Sequence, residues 1–242
     1  ILVVLMNSEI ELAGLEKATV IKRDNHSISR KQISPNALKV LYRLSSAGFH
    51  AYIVGGGVRD LLLGTKPKDF DVATNASPEE IRKLFKNARI IGRRFKIVHI
   101  RFGREIIEVT TFRANHDPKN QIADDISRRQ IKGLDSAHSK AGMILRDNVY
   151  GNIDEDAFRR DFTVNALYYT TRNFLLLDFC GGLDDIQNKE IRMIGDPTAR
   201  YKEDPVRMLR AIRFSAKLGF EIEENTKKPI DDLSYLLDSM SS

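Results

Sequence analysis

The chain has 242 residues, of which 42% are hydrophobic and 30% are charged, a composition typical of a globular protein with its own core and unlike that of a disordered chain. Its longest uninterrupted apolar run, Ile1–Met6, is far shorter than the ~20 residues of a membrane-spanning helix, and its one cysteine, Cys180, excludes an internal disulfide and a zinc site built from several cysteines. Lys and Arg exceed Asp and Glu by six. This positive balance favours a polyanionic partner such as nucleic acid, although a basic protein without such a partner has the same balance.

These features predict a cytosolic protein with no membrane partner. The chain begins with Ile1 rather than Met and stops after a fragmentary helical pattern. We therefore expect a fragment of a longer protein.

The N-terminal part of the chain predicts a mixture of helices and strands. Residues 1–33 show no periodicity, and the basic, polar stretch 22–31 predicts an N-terminal arm. Ser34 and Pro35 are typical of the start of a helix, and Gly48 of its end. The next predicted elements are a strand over Ala51–Val54, a helix over Val58–Leu63, a strand over Phe70–Ala73, a helix from Pro78 to about Lys86, and paired strands over Lys96–Phe102 and Glu105–Phe112.

Residues 113–146 are polar and show no sustained period. A loop of this length inside a compact domain is typical of a functional lid or of disorder, so we expect a mobile segment. After it the pattern predicts a helix over Glu155–Thr170, strands over Phe174–Phe179 and Glu190–Ile194, and a helix that begins after Asp204 and ends at Gly219.

Because the elements beyond Ile194 are helical, we place a domain boundary there. The expected fold is α+β, with a mixed sheet and flanking helices over 34–194 and a partial helical unit over 195–242. In the last predicted helix, the apolar stripe of Val206, Leu209, Ile212 and Ala216 suits the core.

The sharpest local feature is Asp69-Phe70-Asp71, at the start of a predicted strand. Because successive side chains of a strand point to opposite faces, Asp69 and Asp71 would share one face with Phe70 behind them. Two carboxylates on one face repel each other unless a cation lies between them, and Mg²⁺ prefers carboxylate oxygens together with substrate phosphates. The pattern therefore suggests a magnesium site, although most Asp-x-Asp sequences lie in solvated loops.

A glycine-rich turn precedes this feature, in Val54-Gly55-Gly56-Gly57-Val58-Arg59-Asp60. Bare backbone N–H groups at the start of a helix bind phosphate, and Arg59 adds a charged fork. The turn matches neither the dinucleotide-binding fingerprint nor a Walker loop. A tight strand-to-helix turn without a ligand is the alternative interpretation.

Two further segments carry polar groups at helical spacing. In Arg159-Arg160-Asp161-Phe162-Thr163-Val164-Asn165, Asp161 and Asn165 would share a helix face and grip a ribose hydroxyl or lie near a metal, unless the helix is an ordinary surface helix.

In the segment 203–213, a basic stripe would contain Arg207, Arg210 and Arg213. Such a stripe is usually a solvated helix face, but Asp204 would lie one turn below Arg207. That pair offers one acceptor beside one donor, an order that suits adenine and cytosine and disfavours guanine and uracil.

These four motifs, in this order, resemble the class II nucleotidyltransferase family of tRNA CCA-adding enzymes and bacterial poly(A) polymerases. The resemblance runs from about Asp24 to Gly219. It implies a nucleotidyltransferase head over 34–194, a partial helical neck over 195–242, and a C-terminal body that this chain lacks.

The resemblance also implies roles for individual residues. Asp69 and Asp71 would be catalytic carboxylates that hold two Mg²⁺ ions, and Asp161 a third catalytic carboxylate. Glu108 is an alternative third carboxylate, or a structural residue. The implied contacts with the nucleotide, which is ATP, come from Gly56, Arg59, Arg160, Asp161, Asp204, Arg207, Arg210 and Arg213.

Within the family, Arg93-Arg94-Phe95 and the arm around 26–30 resemble poly(A) polymerases. The implied activity is therefore template-independent addition of AMP from ATP to RNA 3′ ends. A CCA-adding enzyme that uses CTP and ATP is the alternative, and a catalytically silent RNA-binding module is a remote one.

Overall fold

A computed structural model describes residues 15–92, 96–114, 136–138, 144–147 and 150–240. The strands of these residues are β1 (Thr19–Ile21), β2 (Ala51–Val54), β3 (Asp71–Thr74), β4 (Ala88–Ile91), β5 (Ile97–Phe102), β6 (Glu105–Thr111), β7 (Ser136–His138), β8 (Ile144–Asp147), β9 (Leu167–Tyr169), β10 (Leu176–Asp178), β11 (Glu190–Ile191) and β12 (Glu221–Ile222).

The α-helices are α1 (Pro35–Ser46), α2 (Gly56–Leu62), α3 (Pro78–Leu84), α4 (Ile153–Phe158), α5 (Gly182–Asn188), α6 (Pro197–Glu203), α7 (Val206–Leu218), α8 (Glu224–Lys227) and α9 (Pro229–Leu233). Short 3-10 helices cover Arg23–Asn25, Arg30–Gln32, Thr163–Asn165 and Ser234–Met240. None of the described helices combines the length and the apolar character needed to cross a membrane.

The main sheet has eight strands in the order β1-β10-β9-β2-β3-β6-β5-β4. Strands β3 and β6 are parallel, whereas the other neighbours are antiparallel. The sheet is therefore mixed and flanked by helices, which confirms the predicted fold class.

Each face of the sheet has its own apolar core. One face packs against α1, α2 and α3, and its core contains Leu41, Val72 and Ile100. The other core contains Tyr52, Ala73 and, from α4, Ala157. A third cluster joins Phe162 and Ile191 to residues of α6, α7 and α9, so apolar contacts continue across the predicted boundary at residue 194.

Capping residues explain where several helices begin. The Ser34 hydroxyl accepts hydrogen bonds from the first backbone N–H groups of α1, and Pro35 follows it. Ser77 and Glu80 form a capping box at α3, and Asp196 caps α6. These side chains satisfy N–H groups that have no partner within the helix, so these starts could be predicted from the sequence.

The prediction of an irregular arm over 1–33 is wrong for its described part. Thr19–Ile21 forms β1, which pairs with β10 at the edge of the main sheet. Ile28 and Ile33 are buried in the core beside α1. Single apolar residues at irregular spacing anchor this segment while its basic side chains stay exposed, so no periodicity revealed it.

The predicted mobile segment 113–146 lies mostly outside the described residues. Two parts of it form β7 and β8, which pair as an antiparallel two-stranded sheet. Its mobility stays a prediction.

The predicted helix over Glu155–Thr170 is wrong. Helix α4 ends at Phe158, a 3-10 turn covers Thr163–Asn165, and Leu167–Tyr169 is strand β9. Strand β9 lies between β10 and β2 and is buried on both faces. A strand of that kind shows no alternation of apolar and polar residues, so it resembles part of a buried helix in sequence.

Helix α7 has the predicted position but a different buried face. Met208 and Ala211 are fully buried, whereas Leu209 and Ile212 are about half exposed, at 53% and 51%. The predicted apolar stripe is therefore not part of the core of the described chain. Helix α7 carries two apolar stripes one residue apart, and packing against β11 and α6, rather than the periodicity, decides which one is buried.

Candidate active site

The glycine-rich turn joins β2 to α2 and places both beside the segment that contains Asp69. Gly55 has φ +69° and ψ −139°, a conformation that other residues rarely adopt. A Cβ atom on Gly57 would lie 3.4 Å from the carbonyl oxygen of Asp69. The glycines therefore let the glycine-rich turn approach the segment that contains Asp69. This proximity supports placing the two motifs in one site.

Asp71 is the first residue of β3, where it pairs with Val54 of β2 and with Glu108 of β6. Asp69 is exposed and lies before the strand begins, so the prediction that it belongs to the strand together with Asp71 is wrong. Burial and the neighbouring charges of Glu108 and Asp69 raise the pKa of Asp71 to about 6, although Arg160 acts in the opposite direction. The two predicted carboxylates are thus close enough for their charges to interact.

A groove of about 410 Å³ opens beside Asp71. Its lining includes the carboxylates of Asp71 and Glu108 and the guanidinium groups of Arg113, Arg159, Arg160 and Arg210. Such a lining places oxygen ligands for a hard cation next to donors for phosphate oxygens.

The donor set fits Mg²⁺, which takes one or two carboxylates and leaves its other positions to substrate phosphates and water. Among the described residues, no cluster of three His, Cys, Asp or Glu side chains is arranged to hold a metal ion by itself. Burial, the charge of Glu108 and, to a smaller extent, the charge of Asp69 all disfavour the ionised form of Asp71, and a bound cation would relieve the repulsion among these carboxylates.

A buried network fixes Arg160, one of the predicted nucleotide-binding residues. Its Nη2 atom donates to Asp156 Oδ2 at 2.9 Å, and its Nε atom donates to the Tyr168 hydroxyl at 2.8 Å. The Tyr168 hydroxyl in turn donates to Asp156 Oδ2 at 2.7 Å. Burial opposes the charge of Asp156, but Arg160 and Arg159 outweigh it and hold the pKa of that carboxyl low. Arg160 is therefore held in place with its charge intact.

Asp156 and Tyr168 were not among the residues predicted from the sequence. The available signal was the spacing of Asp156 and Arg160, which are four residues apart in a short helical segment. Tyr168 had no signal because it lies in the strand that was assigned to a helix.

A second network joins four residues that the sequence analysis singled out. Arg210 Nε donates to Asp161 Oδ2 at 2.7 Å, and Asn165 Nδ2 donates to Asp161 Oδ1 at 3.3 Å. Arg59, which is almost completely buried, donates to Asn165 Oδ1 at 2.6 Å. The expected proximity of Asp161 and Asn165 is present, although a 3-10 turn rather than an α-helix produces it.

Two arginines of this network, and Arg213 beside them, lie close to the ring of Phe214. The guanidinium carbons of Arg59, Arg210 and Arg213 lie 5.4, 5.2 and 5.0 Å from the centre of its ring. Asp161 is not part of the groove lining, unlike Asp71, and its carboxylate is paired with Arg210.

Asp204 and Arg207 lie at the junction of α6 and α7. Asp204 follows the last residue of α6 in an extended conformation rather than within a helix. Arg207 Nη1 donates to Glu203 Oε2 and to the carbonyl oxygen of Arg200, both at 2.9 Å. Asp204 Oδ1 is buried and accepts no hydrogen bond from the described residues. The carboxylate that holds Arg207 is therefore Glu203, while Asp204 keeps a free acceptor.

Arg200, which was not predicted from the sequence either, links α6 to the Arg159–Asp161 segment. Its Nη2 atom donates to the carbonyl oxygens of Arg159 and Arg160, the second at 2.6 Å. Burial and the charge of Arg207 lower the pKa of Arg200 to about 10. The junction that carries Asp204 is thereby held against the groove.

The sequence and the fold of this chain are similar to those of known proteins. Residues 51–192 match the family profile described as the poly A polymerase head domain. The chain belongs to this nucleotidyltransferase family. Poly(A) polymerase I of Escherichia coli O157:H7 is 55% identical to it over 234 residues, which are 96% of this chain and 48% of that protein.

The CCA-adding enzymes belong to the same family. The enzyme of Lactobacillus helveticus is 38% identical over 205 residues, covering 85% of this chain and 46% of that protein. The crystal structure of the Bacillus stearothermophilus CCA-adding enzyme in complex with CTP superposes with a TM-score of 0.68 at 32% identity, covering 86% of this chain and 46% of that one. The chain thus spans about half the length of the relatives that it matches.

Proposed function

We propose that this nucleotidyltransferase chain is the catalytic part of a template-independent polynucleotide adenylyltransferase, which adds AMP from ATP to RNA 3′ ends. The observation that carries the proposal is the groove in which Asp71 and Glu108 lie beside four guanidinium groups. Relatives called poly(A) polymerase I, at 54–55% identity, support the choice of ATP.

The residues in and beside the groove have different proposed roles. Asp69 and Asp71 would hold Mg²⁺, which would activate the RNA 3′-hydroxyl and stabilise the pyrophosphate leaving group. Arg160, locked by Asp156 and Tyr168, presents a fixed charge to the triphosphate, and Arg210 adds a second. Fixed charges of this kind stabilise a transition state without reorganising during the reaction.

The free acceptor of Asp204 supports its role in base recognition. A buried carboxylate oxygen without a partner costs free energy, which an exocyclic amine of adenine would offset by donating to it. Arg207 is already oriented by Glu203 and the Arg200 carbonyl, so its remaining N–H groups are available to the ring nitrogen.

A CCA-adding enzyme is the second candidate, because relatives with that name are 37–38% identical and the Asp204–Arg207 pair suits cytosine as well as adenine. The distinguishing residues 93–95 lie outside the described part of the chain. A catalytically silent RNA-binding module is the remote alternative, and the presence of both Asp69 and Asp71 argues against it.

The proposal is tested by pyrophosphate release from ATP in the presence of Mg²⁺ and a short RNA, using the full-length protein. We expect Asp71→Ala to lose at least ~100-fold in kcat, as is typical for the removal of a main electrostatic group. Glu79→Ala, which removes an exposed carboxylate from α3, is the matched control and should retain full activity. Near-normal activity of a folded Asp71→Ala protein would refute the assignment.

A further inference from the structure

A row of directly paired residues crosses four strands of the main sheet, starting at the groove. Asp71 of β3 pairs with Glu108 of β6, Glu108 pairs with His99 of β5, and His99 pairs with Arg89 of β4. Directly paired residues place their side chains on the same face of a sheet. Three strand spacings of about 4.8 Å separate the ends of this row, so Arg89 lies about 14 Å from Asp71.

Contacts confirm that the row is continuous on one face. Asp71 and Glu108 line the same groove. His99 Nε2 lies 3.2 Å from Glu108 Oε1. His99 and Arg89 line a second groove of about 530 Å³ at the β4 edge of the sheet.

The lining of this second groove is basic and partly apolar. We define the basic sheet face as Lys86, Arg89, His99 and Arg101 together with Ile91 and Ile106. Lys86, Arg89 and Arg101 are exposed, and Ile91 and Ile106 are 37% and 39% exposed. No carboxylate belongs to the lining formed by the described residues.

We propose that the basic sheet face binds the single-stranded RNA segment that leads to the 3′ end in the groove. This inference rests on the proposed function. Cations that follow the backbone, beside apolar side chains that contact bases, are typical of sequence-tolerant binding to single strands. At the 3.4 Å rise of a stacked strand, the 14 Å between Asp71 and Arg89 correspond to about four nucleotides.

Continuity with the groove favours RNA over an acidic protein segment. A protein ligand would need the basic face alone, whereas an RNA whose 3′ end lies at Asp71 must leave the groove across a neighbouring surface. The row from Asp71 to Arg89 provides a basic exit on the same face of the sheet. Binding should therefore depend on RNA length, with the change at about four nucleotides.

The test uses a double variant of the full-length protein that carries Arg89→Glu and Arg101→Glu. It is compared with a control double variant that carries Lys31→Glu and Lys39→Glu. The control makes the same change in net charge at exposed residues of the N-terminal segment and of α1, a helix that packs on the opposite face of the sheet. Adenylyl transfer is measured with a trinucleotide and with a 15-nucleotide unstructured RNA, and affinity for the 15-mer is measured by fluorescence anisotropy at several salt concentrations.

We expect the Arg89/Arg101 variant to raise KM for the 15-mer at least tenfold while its kcat/KM for the trinucleotide stays within twofold of the unmodified protein. The salt dependence of 15-mer binding should become shallower by about 1.4 in log–log slope, because about two phosphate contacts are lost. Arg89→Gln with Arg101→Gln should give the same pattern with a smaller change, and it replaces the Glu variant if charge reversal disturbs folding.

An unchanged KM and affinity for the 15-mer would overturn the proposal and leave an acidic protein segment as the ligand of this face. An equal loss in the Lys31/Lys39 control would also overturn it, because the effect would then be one of net charge. If the unmodified protein transfers no nucleotide at all, the proposed function fails, whereas the anisotropy comparison still decides whether this face binds RNA.

Discussion

Asp71 lies in a setting that penalises its own charge. Burial and the carboxylates of Glu108 and Asp69 raise its pKa to about 6 in the folded chain, compared with 3.8 for a free aspartate. A pKa that is raised on folding means that the folded protein loses stability as the pH increases through that value. The residue proposed to hold Mg²⁺ therefore destabilises the metal-free protein at neutral pH.

We therefore expect Asp71→Asn to stabilise the metal-free protein by about 2–3 kcal/mol at pH 7.5. The difference should shrink as the pH is lowered from 7.5 towards 4, since the aspartate becomes protonated. Adding Mg²⁺ should stabilise the unmodified protein more than the variant. Urea unfolding at several pH values, with and without Mg²⁺, measures both effects. Equal stability at every pH, together with an equal response to Mg²⁺, would contradict the account.

Individual residues differ in how far the sequence could predict them. Asp71, Gly56 and Arg59 stand out in the sequence because their motifs are local and have fixed spacing, and the roles assigned to them stay predictions. Among the partners that orient Arg160 and Arg207, Asp156 and Glu203 lie four residues away, but this spacing does not by itself select the pairs that form. Tyr168 comes from a strand next to β2 and Glu203 from the helix before Asp204, and only the folded chain decides which carboxylate faces which guanidinium.

Helix α7 shows that apolar periodicity predicts a helix without deciding which of its faces is buried. Gly219, whose φ of +66° suits a glycine, ends the helix as expected, whereas Pro205 at its start makes no side-chain capping hydrogen bond. Two overlapping apolar stripes are both compatible with 3.6 residues per turn. The structure buries Met208 and Ala211 and leaves Leu209 and Ile212 exposed.

The two faces of α7 should respond differently to truncation in the chain of residues 1–242. We expect Met208→Ala to lower the free energy of unfolding by about 2–5 kcal/mol, because it opens a cavity in a buried cluster. Leu209→Ala, on the exposed side of the same helix, should change it by less than about 0.5 kcal/mol. Chemical denaturation of the two variants measures the difference, and a larger loss for Leu209→Ala would show that the opposite face is the buried one.

At the scale of the molecule, the sequence predicted a mixed sheet with helices but not the order of its strands. Local patterns identify β2, β3, β5 and β6, whereas the parallel pairing of β3 with β6 is a long-range contact without a local signal. That pairing brings Glu108 next to Asp71 and so creates the groove. Strand β1 was missed because a three-residue edge strand carries too few residues to show alternation.

The central claim is that the complete protein adds only A, repeatedly and without a template. Asp204 and Arg207 cannot by themselves separate ATP from CTP, since both bases present a donor beside an acceptor. The choice must come from the size and rigidity of the pocket around that pair. The networks that fix Arg160 and Arg200 hold neighbouring segments of the site in place, and we propose that the base pocket is likewise rigid and accepts a purine.

Primer extension with each of the four nucleotides, on an unstructured RNA and on a tRNA that ends before CCA, tests this claim most directly. We predict repeated addition of A to both RNAs, with CTP used at least ~100-fold less efficiently, a difference of about 2.7 kcal/mol at the transition state. Synthesis that stops after C-C-A on the tRNA and leaves the unstructured RNA unextended would contradict the adenylyltransferase and identify a CCA-adding enzyme instead.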